Sequence, residues 1–185
     1  MRTSSLTRTG LTVIMSLVLT ASLWAVKRVD LPDNFGKDDW AVSHYQEAVG
    51  YLKYMTKDQT IQKLVSVPDN LRQAAWDDFW KSFDPAKKIS ADEYEEAYFA
   101  RVRYANENFA SILQPGWLTD RGEAYIRLGE PTTREKFTMR AGGRDIEVWN
   151  YMLPRDIYLV FVDRTGVGDF DLLNTGDMLD EVYLH

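Results

Sequence analysis

The spacing of apolar residues changes at Pro115-Gly116, and this change restricts the chain to folds in which helices precede strands. Upstream, Trp40, Val42, Tyr45, Val49, Leu52 and Met55 recur at mostly three- and four-residue steps, so residues 37–56 are expected to form a helix. Residues 58–66 make a short second one around Ile61, Leu64 and Val65, ended by Pro68. Asp69 or Asn70 can cap a third, with Leu71, Ala75, Phe79 and Phe83 on one face, and Asp84-Pro85 stops it. Ser90-Ala-Asp-Glu93 is a capping box, in which hydroxyl and carboxylate satisfy each other's free backbone N–H groups. A long helix should follow from Ala91 to about Ile112, with Tyr94, Ala97, Tyr98, Val102, Ala105, Phe109 and Ile112 along one face.

Downstream the period shortens. Ala124, Ile126 and Leu128 alternate with Glu123, Tyr125 and Arg127, which suggests a first strand ended by Gly129 and Pro131; so short a run also fits a helix. Phe137 and Met139 lead into the turn Ala141-Gly-Gly-Arg144. Ile146, Val148 and Asn150 alternate with Glu147, Trp149 and Tyr151. Tyr158-Leu-Val-Phe-Val162 follows, and Gly166-Val-Gly168 turns it back into Phe170-Asp-Leu-Leu173. Alternating runs between turns describe an antiparallel meander. The fold class is therefore α+β: an N-terminal helical segment (37–114) packed on a small antiparallel β-meander (115–185).

The first residues speak to compartment. Arg2 and Arg8 precede an apolar run, Leu11 to Ala25, and the chain is polar from Lys27 onward. A basic start, a short apolar core and a small terminal residue describe a secretory signal. Residues 1–25 are expected as a signal peptide or an N-terminal anchor, and 26–36 as a linker. Leu19 and Leu23, three residues before the candidate cleavage residues Ala21 and Ala25 when counted inclusively, are larger than an ideal site prefers, and Lys27-Arg28 resembles an anchor flank. The chain has no cysteine, which excludes disulfides, thiol chemistry and lipid attachment at a lipobox. Formal net charge is −6, and loss of residues 1–25 removes Arg2, Arg8 and no acid, leaving −8. An acidic chain is a poor partner for nucleic acid, whose phosphates need clustered Lys and Arg.

One segment is distinctive: Gly116-Trp-Leu-Thr-Asp120-Arg-Gly122, then Tyr125-Ile-Arg-Leu-Gly-Glu-Pro131, with Glu147-Val-Trp-Asn-Tyr151 and Tyr158–Asp163 downstream. Over residues 90–175 the chain resembles the GWxTD-domain family of bacterial exported proteins, named for Gly-Trp-x-Thr-Asp. The resemblance implies export and implies no particular activity. The sheet half is also similar, at the level of fold alone, to a small adaptor lipoprotein of the outer-membrane β-barrel assembly machine; function does not follow from fold.

Two readings of the motif compete. In the structural one, Gly116 lets the chain leave the long helix, Trp117 is buried over the joint of helices and sheet, and Thr119 and Asp120 bond nearby backbone N–H groups ahead of Arg121-Gly122. Gly129, Pro131, Trp149 and Tyr151 complete that framework. In the functional one, Asp120 and Arg121 belong to a ligand or active site. Trp76, Phe79, Trp80 and Phe83 recur at helical steps, as core or as an exposed platform for a partner or sugar. Asp163, Asp169 and Asp171 flank a Gly-containing turn but lack the order of a calcium loop. His44 and His185 are too few for zinc. Glu93, Glu95 and Glu96 suit a solvated face at a helix start. The reading with most support is a non-catalytic protein-interaction module of the cell envelope, periplasmic or secreted, with an envelope protein as partner, no cofactor, and membrane contact only through a retained N-terminal anchor. The alternatives are a ligand-binding domain using the aromatic helix and a hydrolase or carbohydrate-active protein using Asp120, Glu147 or Asp163.

Overall fold

The computed structural model describes residues 31–83, 89–138, 144–152 and 156–173. The export segment 1–25, most of the linker, the Asp84-Pro85 stop and the glycines of the 141–144 turn lie outside the described residues.

The helical half contains α1 (Asp38–Ser43), α2 (Tyr45–Tyr51), α3 (Asp58–Val65), α4 (Arg72–Lys81), α5 (Ala91–Phe109) and α6 (Asp120–Leu128). The single helix expected over 37–56 is broken at His44, whose backbone leaves the helical region (φ −115°, ψ 36°). Ser43 causes the break: its hydroxyl bonds back to the carbonyls of Asp39 (2.8 Å) and Trp40 (2.9 Å), competing with the ladder. The capping box forms as expected, with the Glu93 amide donating to Ser90 Oγ (3.2 Å) and the Ser90 amide donating to Glu93 Oε2 (2.8 Å). Helix α5 stops at Phe109, short of Ile112, because Ser111 Oγ accepts the amides of Leu113 (3.1 Å) and Gln114 (3.2 Å) and folds the chain away from the helix axis.

The run Glu123–Leu128 is not a strand; it is the body of α6. Thr119 caps its start, and Gly129, at φ 82°, stops it in a conformation that other residues rarely adopt. Gly129 and Pro131 thus end a helix, and the sheet begins later than expected.

The four strands are β1 (Thr133–Thr138), β2 (Asp145–Met152), β3 (Asp156–Asp163) and β4 (Phe170–Leu172). They pair antiparallel in chain order, β1-β2-β3-β4. Register puts Arg134 opposite Trp149, Trp149 opposite Leu159, and Asp163 opposite Phe170. The helices lie on the face that carries Glu147, Trp149, Tyr151, Leu159 and Phe161, all buried. One apolar cluster runs from Phe35 and Trp40 through Phe99 and Phe109 to Phe161, so helices and sheet share a single core.

Trp76, Phe79 and Trp80 point into this cluster, at 0%, 7% and 2% exposure. Trp80 meets Tyr98 and Phe99, and Trp76 meets Tyr45. The aromatic face of α4 is therefore core, and it offers no exposed platform for a sugar or partner. Rings of this size supply much of the burial that holds the small helices together, since each is too short to persist alone.

Candidate functional site

The motif occupies a 3₁₀ turn, Gly116–Leu118, and the first turn of α6. Its glycines are explained by closeness. A Cβ on Gly116 would run into the carbonyl of Ala105 in α5, and one on Gly122 into the carbonyl of Gly116. Gly116 has no positive φ, so what it provides is space for backbone against backbone. Asn106 in α5, buried, accepts the Trp117 amide at 3.2 Å and fixes the turn to the long helix. Thr119 is buried; its hydroxyl donates to the Gly116 carbonyl (2.8 Å) and accepts the Gly122 amide (3.0 Å). That is an N-cap whose own proton is also used.

Trp117 departs from expectation. It is half-buried, and it packs on the helical side, edge-on to Tyr51 (4.7 Å between ring centroids) and near Tyr54 (6.3 Å), with the Lys53 ammonium 5.6 Å from its ring. It does not plug the joint with the sheet. Asp120 is exposed, and its carboxylate accepts a distant amide, that of Leu172 in β4, at 2.7 Å. The expected local cap is instead a tie from helix to sheet.

Arg121 makes the joint. It is 6% exposed and lies against the rings of Phe170 (3.9 Å) and Phe109 (5.3 Å). Its Nη1 donates to Glu147 Oε2 (3.0 Å) and its Nη2 to the Gly168 carbonyl (3.1 Å). Burial pushes the guanidinium down to about 10, partly offset by Asp163 and Asp169, so it stays charged at neutral pH. Glu147, at 0% exposure, also accepts the Trp149 indole N–H (2.9 Å) and pairs with Arg134. Arg134 stands over Phe109 and Trp149, and burial followed by the Arg121 charge lowers its pKa. Tyr151 closes the arrangement, donating its hydroxyl to the Gly129 carbonyl at 3.1 Å.

Asp163 is spent in the turn that follows it. Oδ1 accepts from the Gly166 amide (2.7 Å) and from the Thr165 amide and hydroxyl (both 3.2 Å), and Oδ2 accepts the Gly168 amide (2.7 Å). Burial alone would raise its pKa; the hydrogen bonds win and hold it below the usual carboxylate range. Asp169 accepts from Gln114 Nε2 (3.4 Å) and Asp171 pairs with Arg164 (3.2 Å), so the three aspartates have separate engagements. Among the described residues, no group of three or more His, Asp and Glu side chains is arranged to hold a metal ion.

Sequence reasoning missed Arg134, Asn106 and Glu95. Glu95 is not solvated: it is 6% exposed and accepts the Trp76 indole N–H at 2.7 Å. Burial pushes its carboxyl up to about 8; the Trp76 bond acts against this, and Asp38, Asp92 and Asp77 act with it. Its position was readable, since Glu95 lies four residues before Phe99 and seven before Val102 on the buried stripe of α5.

Fold and site together define an α+β domain in which a glycine-tryptophan turn clasps a helical layer to a four-stranded meander through one buried ion-pair cluster. The chain belongs to the GWxTD domain family, whose model matches residues 35–166 and so takes in α1 to α4 as well as the motif. The chain is also similar to the RNA-directed RNA polymerase of Tomato bushy stunt virus (strain Cherry), 25% identical over 115 residues, 57% of this chain and 14% of that protein. The chain thus spans well under a fifth of that relative's length. No solved structure matches it.

Proposed function

We propose that the chain is exported and serves as a non-catalytic protein-interaction module of the bacterial cell envelope. One observation carries this reading: two of the three acids on which a hydrolase would depend, Glu147 and Asp163, are committed to holding the fold, which leaves Asp120 without a second carboxylate to work with. Glu147 has no exposure with which to meet a substrate and Asp163 is saturated by hydrogen-bond donors, while Asp120, which is exposed, uses one carboxylate oxygen to hold a strand amide. A general acid or base needs reach to a substrate proton, and a closed set of partners removes it. The aromatic face of α4, on which a ligand-binding reading relied, is enclosed in the core. RNA chemistry draws no support from a chain of net charge −6. Export is supported by the Arg2/Arg8 and Leu11–Ala25 pattern.

The test has two arms. Residues 1–36 fused to a reporter active only outside the cytoplasm should give signal; a stable but silent fusion removes the envelope assignment. A photo-crosslinking residue at exposed Leu113 or half-exposed Trp117 of the full-length chain should give a discrete protein adduct in living cells. A hydrolytic activity lost in Glu147→Gln or Asp163→Asn, with the fold retained, would replace this reading with an enzyme.

A further inference from the structure

Residues 31–37 and one side of α5 border a groove of about 300 Å³ that the clasp does not use. Its loop wall is fixed without a ligand. The Phe35 amide donates to the Pro32 carbonyl (2.9 Å) and the Lys37 amide to the Asn34 carbonyl (3.0 Å). Gly36, at φ 78°, lets the backbone lie against Phe99, where a Cβ would collide. Arg103 of α5 pins the start of the wall. Its Nη2 donates to the Pro32 carbonyl (2.6 Å) and its Nη1 to the Leu31 carbonyl (3.4 Å), with the guanidinium 5.4 Å from the Phe35 ring. Arg103 is thereby withheld from Glu107, one turn further along the same helix, with which it would ordinarily pair. Asp33, Lys37, Glu96 and Glu107 stand exposed around the opening, and among the described residues none of the four is ion-paired.

We propose that this groove binds a free basic α-amino acid of the arginine or lysine type. A pocket of this size holds one small molecule, with apolar walls and a few polar groups that fix its orientation. Phe35, Phe99 and Ala100 supply the apolar part. The polar part is of mixed sign: Asp33, Glu96 and Glu107 outnumber Lys37 and Arg103 by one charge, which matches a ligand with one carboxylate and two cationic groups. Chain direction sets the two ends. Leu31 and Pro32 meet Arg103, and Gly36 meets Phe99 one turn earlier, so the loop runs against α5. Lys37 therefore falls toward the Glu96 end and Asp33 toward the Glu107 end. Because Arg103 has turned its donors to backbone carbonyls, Lys37 is the cation left for the ligand's α-carboxylate, and Glu96 beside it takes the α-ammonium. The basic side chain then runs along Ala100 and Tyr104 toward Asp33 and Glu107. The two glutamates are separated by about 16 Å of helix rise, shortened from each end by their own side chains, a span that suits a long side chain and not a short one. The groove is separate from the Gly116–Gly122 motif, and the protein-interaction reading does not depend on it.

Isotope-enriched full-length protein titrated with L-arginine should show saturable shifts of the Gly36, Lys37, Ala100 and Glu107 amide signals, with those of β2 unmoved. Lys37→Ala should weaken L-arginine about tenfold and leave agmatine, which lacks the carboxylate, unchanged, whereas Glu107→Gln should weaken both about tenfold. L-Norleucine, with the same head and no basic group, should bind about tenfold more weakly than L-lysine. Lys37 and Glu107 are exposed, and unchanged signals away from the groove show that each variant is folded. Absence of a saturable shift with both L-arginine and L-lysine would overturn the proposal. Agmatine bound by the wild type as tightly as L-arginine would overturn it too, because the head group would then not be read. Nα-acetyl-L-arginine bound as tightly as L-arginine would assign the groove to the basic C-terminus of a peptide chain, with the same consequence.

Discussion

Replacing Glu95 by Gln should make the protein more stable at pH 8 and leave it nearly unchanged at pH 4. The side chain is buried in α5, its acceptor role toward the Trp76 indole is one that an amide oxygen can fill, and Asp38, Asp77 and Asp92 add negative charge around it. Its carboxyl is raised from 4.5 to about 8, so the folded state holds the proton where the unfolded chain has released it. The sign follows: at pH below 4.5 both states are protonated and the group contributes nothing; as pH rises toward 8 the folded state is penalised, and above 8 the penalty is complete. At about 1.4 kcal/mol per pKa unit the ceiling is near 5 kcal/mol, and rearrangement of water around an opened carboxylate should leave about 2–3 kcal/mol. Urea unfolding of wild type and variant, followed by tryptophan fluorescence at several pH values between 4 and 9, isolates Glu95 from the other acids by difference. A variant less stable than wild type at pH 8, or a difference that does not grow with pH, would refute the argument that this carboxyl is strained by burial.

Four other substitutions probe the clasp. Arg121→Ala leaves Glu147 buried beside Arg134 alone and should cost about 3–5 kcal/mol in urea unfolding, the range for breaking a buried pair. Gly122→Ala forces a methyl group into the Gly116 carbonyl and should cost more than the same exchange at Gly50, where nothing lies within 4 Å, when the two thermal transitions are compared. Trp117→Ala should cost about 1.5–3 kcal/mol, below the value for a fully buried ring, whereas Asp120→Ala should cost about 1 kcal/mol and speed exchange of the Leu172 amide about fivefold by hydrogen–deuterium exchange.

The order of helices before strands was legible because period and capping are local: Ser90 and Glu93 specify their helix start without any tertiary partner. The segment Glu123–Leu128 was not, because six residues alternating in polarity satisfy both periods, and the deciding feature was the Thr119 hydroxyl accepting the Gly122 amide. Asp120 was read as a local cap because neighbouring amides are the nearest donors along the chain; its actual donor, Leu172, is remote in sequence and reaches it only through the sheet. Arg134 was invisible for the same reason. On a strand that is otherwise mostly exposed, only the register that sets it opposite Trp149 shows that it points inward. Glu95 was misread by its neighbours, since Glu93 and Glu96 are solvated and the charge run masked the helical face.

Ile146 and Val148, on the face of β2 that points away from the helices, give the Arg121–Glu147 pair a task that hydrophobicity cannot perform. If β2 slipped by one residue, Ile146 and Val148 would turn toward the helices, and by polarity alone the sheet would be as well satisfied as before. Glu147 would then point outward, and Arg121, held near α5 by the close approach of Gly116 to Ala105, would lose its buried carboxylate and keep only the Gly168 carbonyl and the influence of Asp163 and Asp169. The ion pair acts as a key that admits one registration of strand against helix, selecting among nearly equivalent packings rather than adding to the strength of any of them.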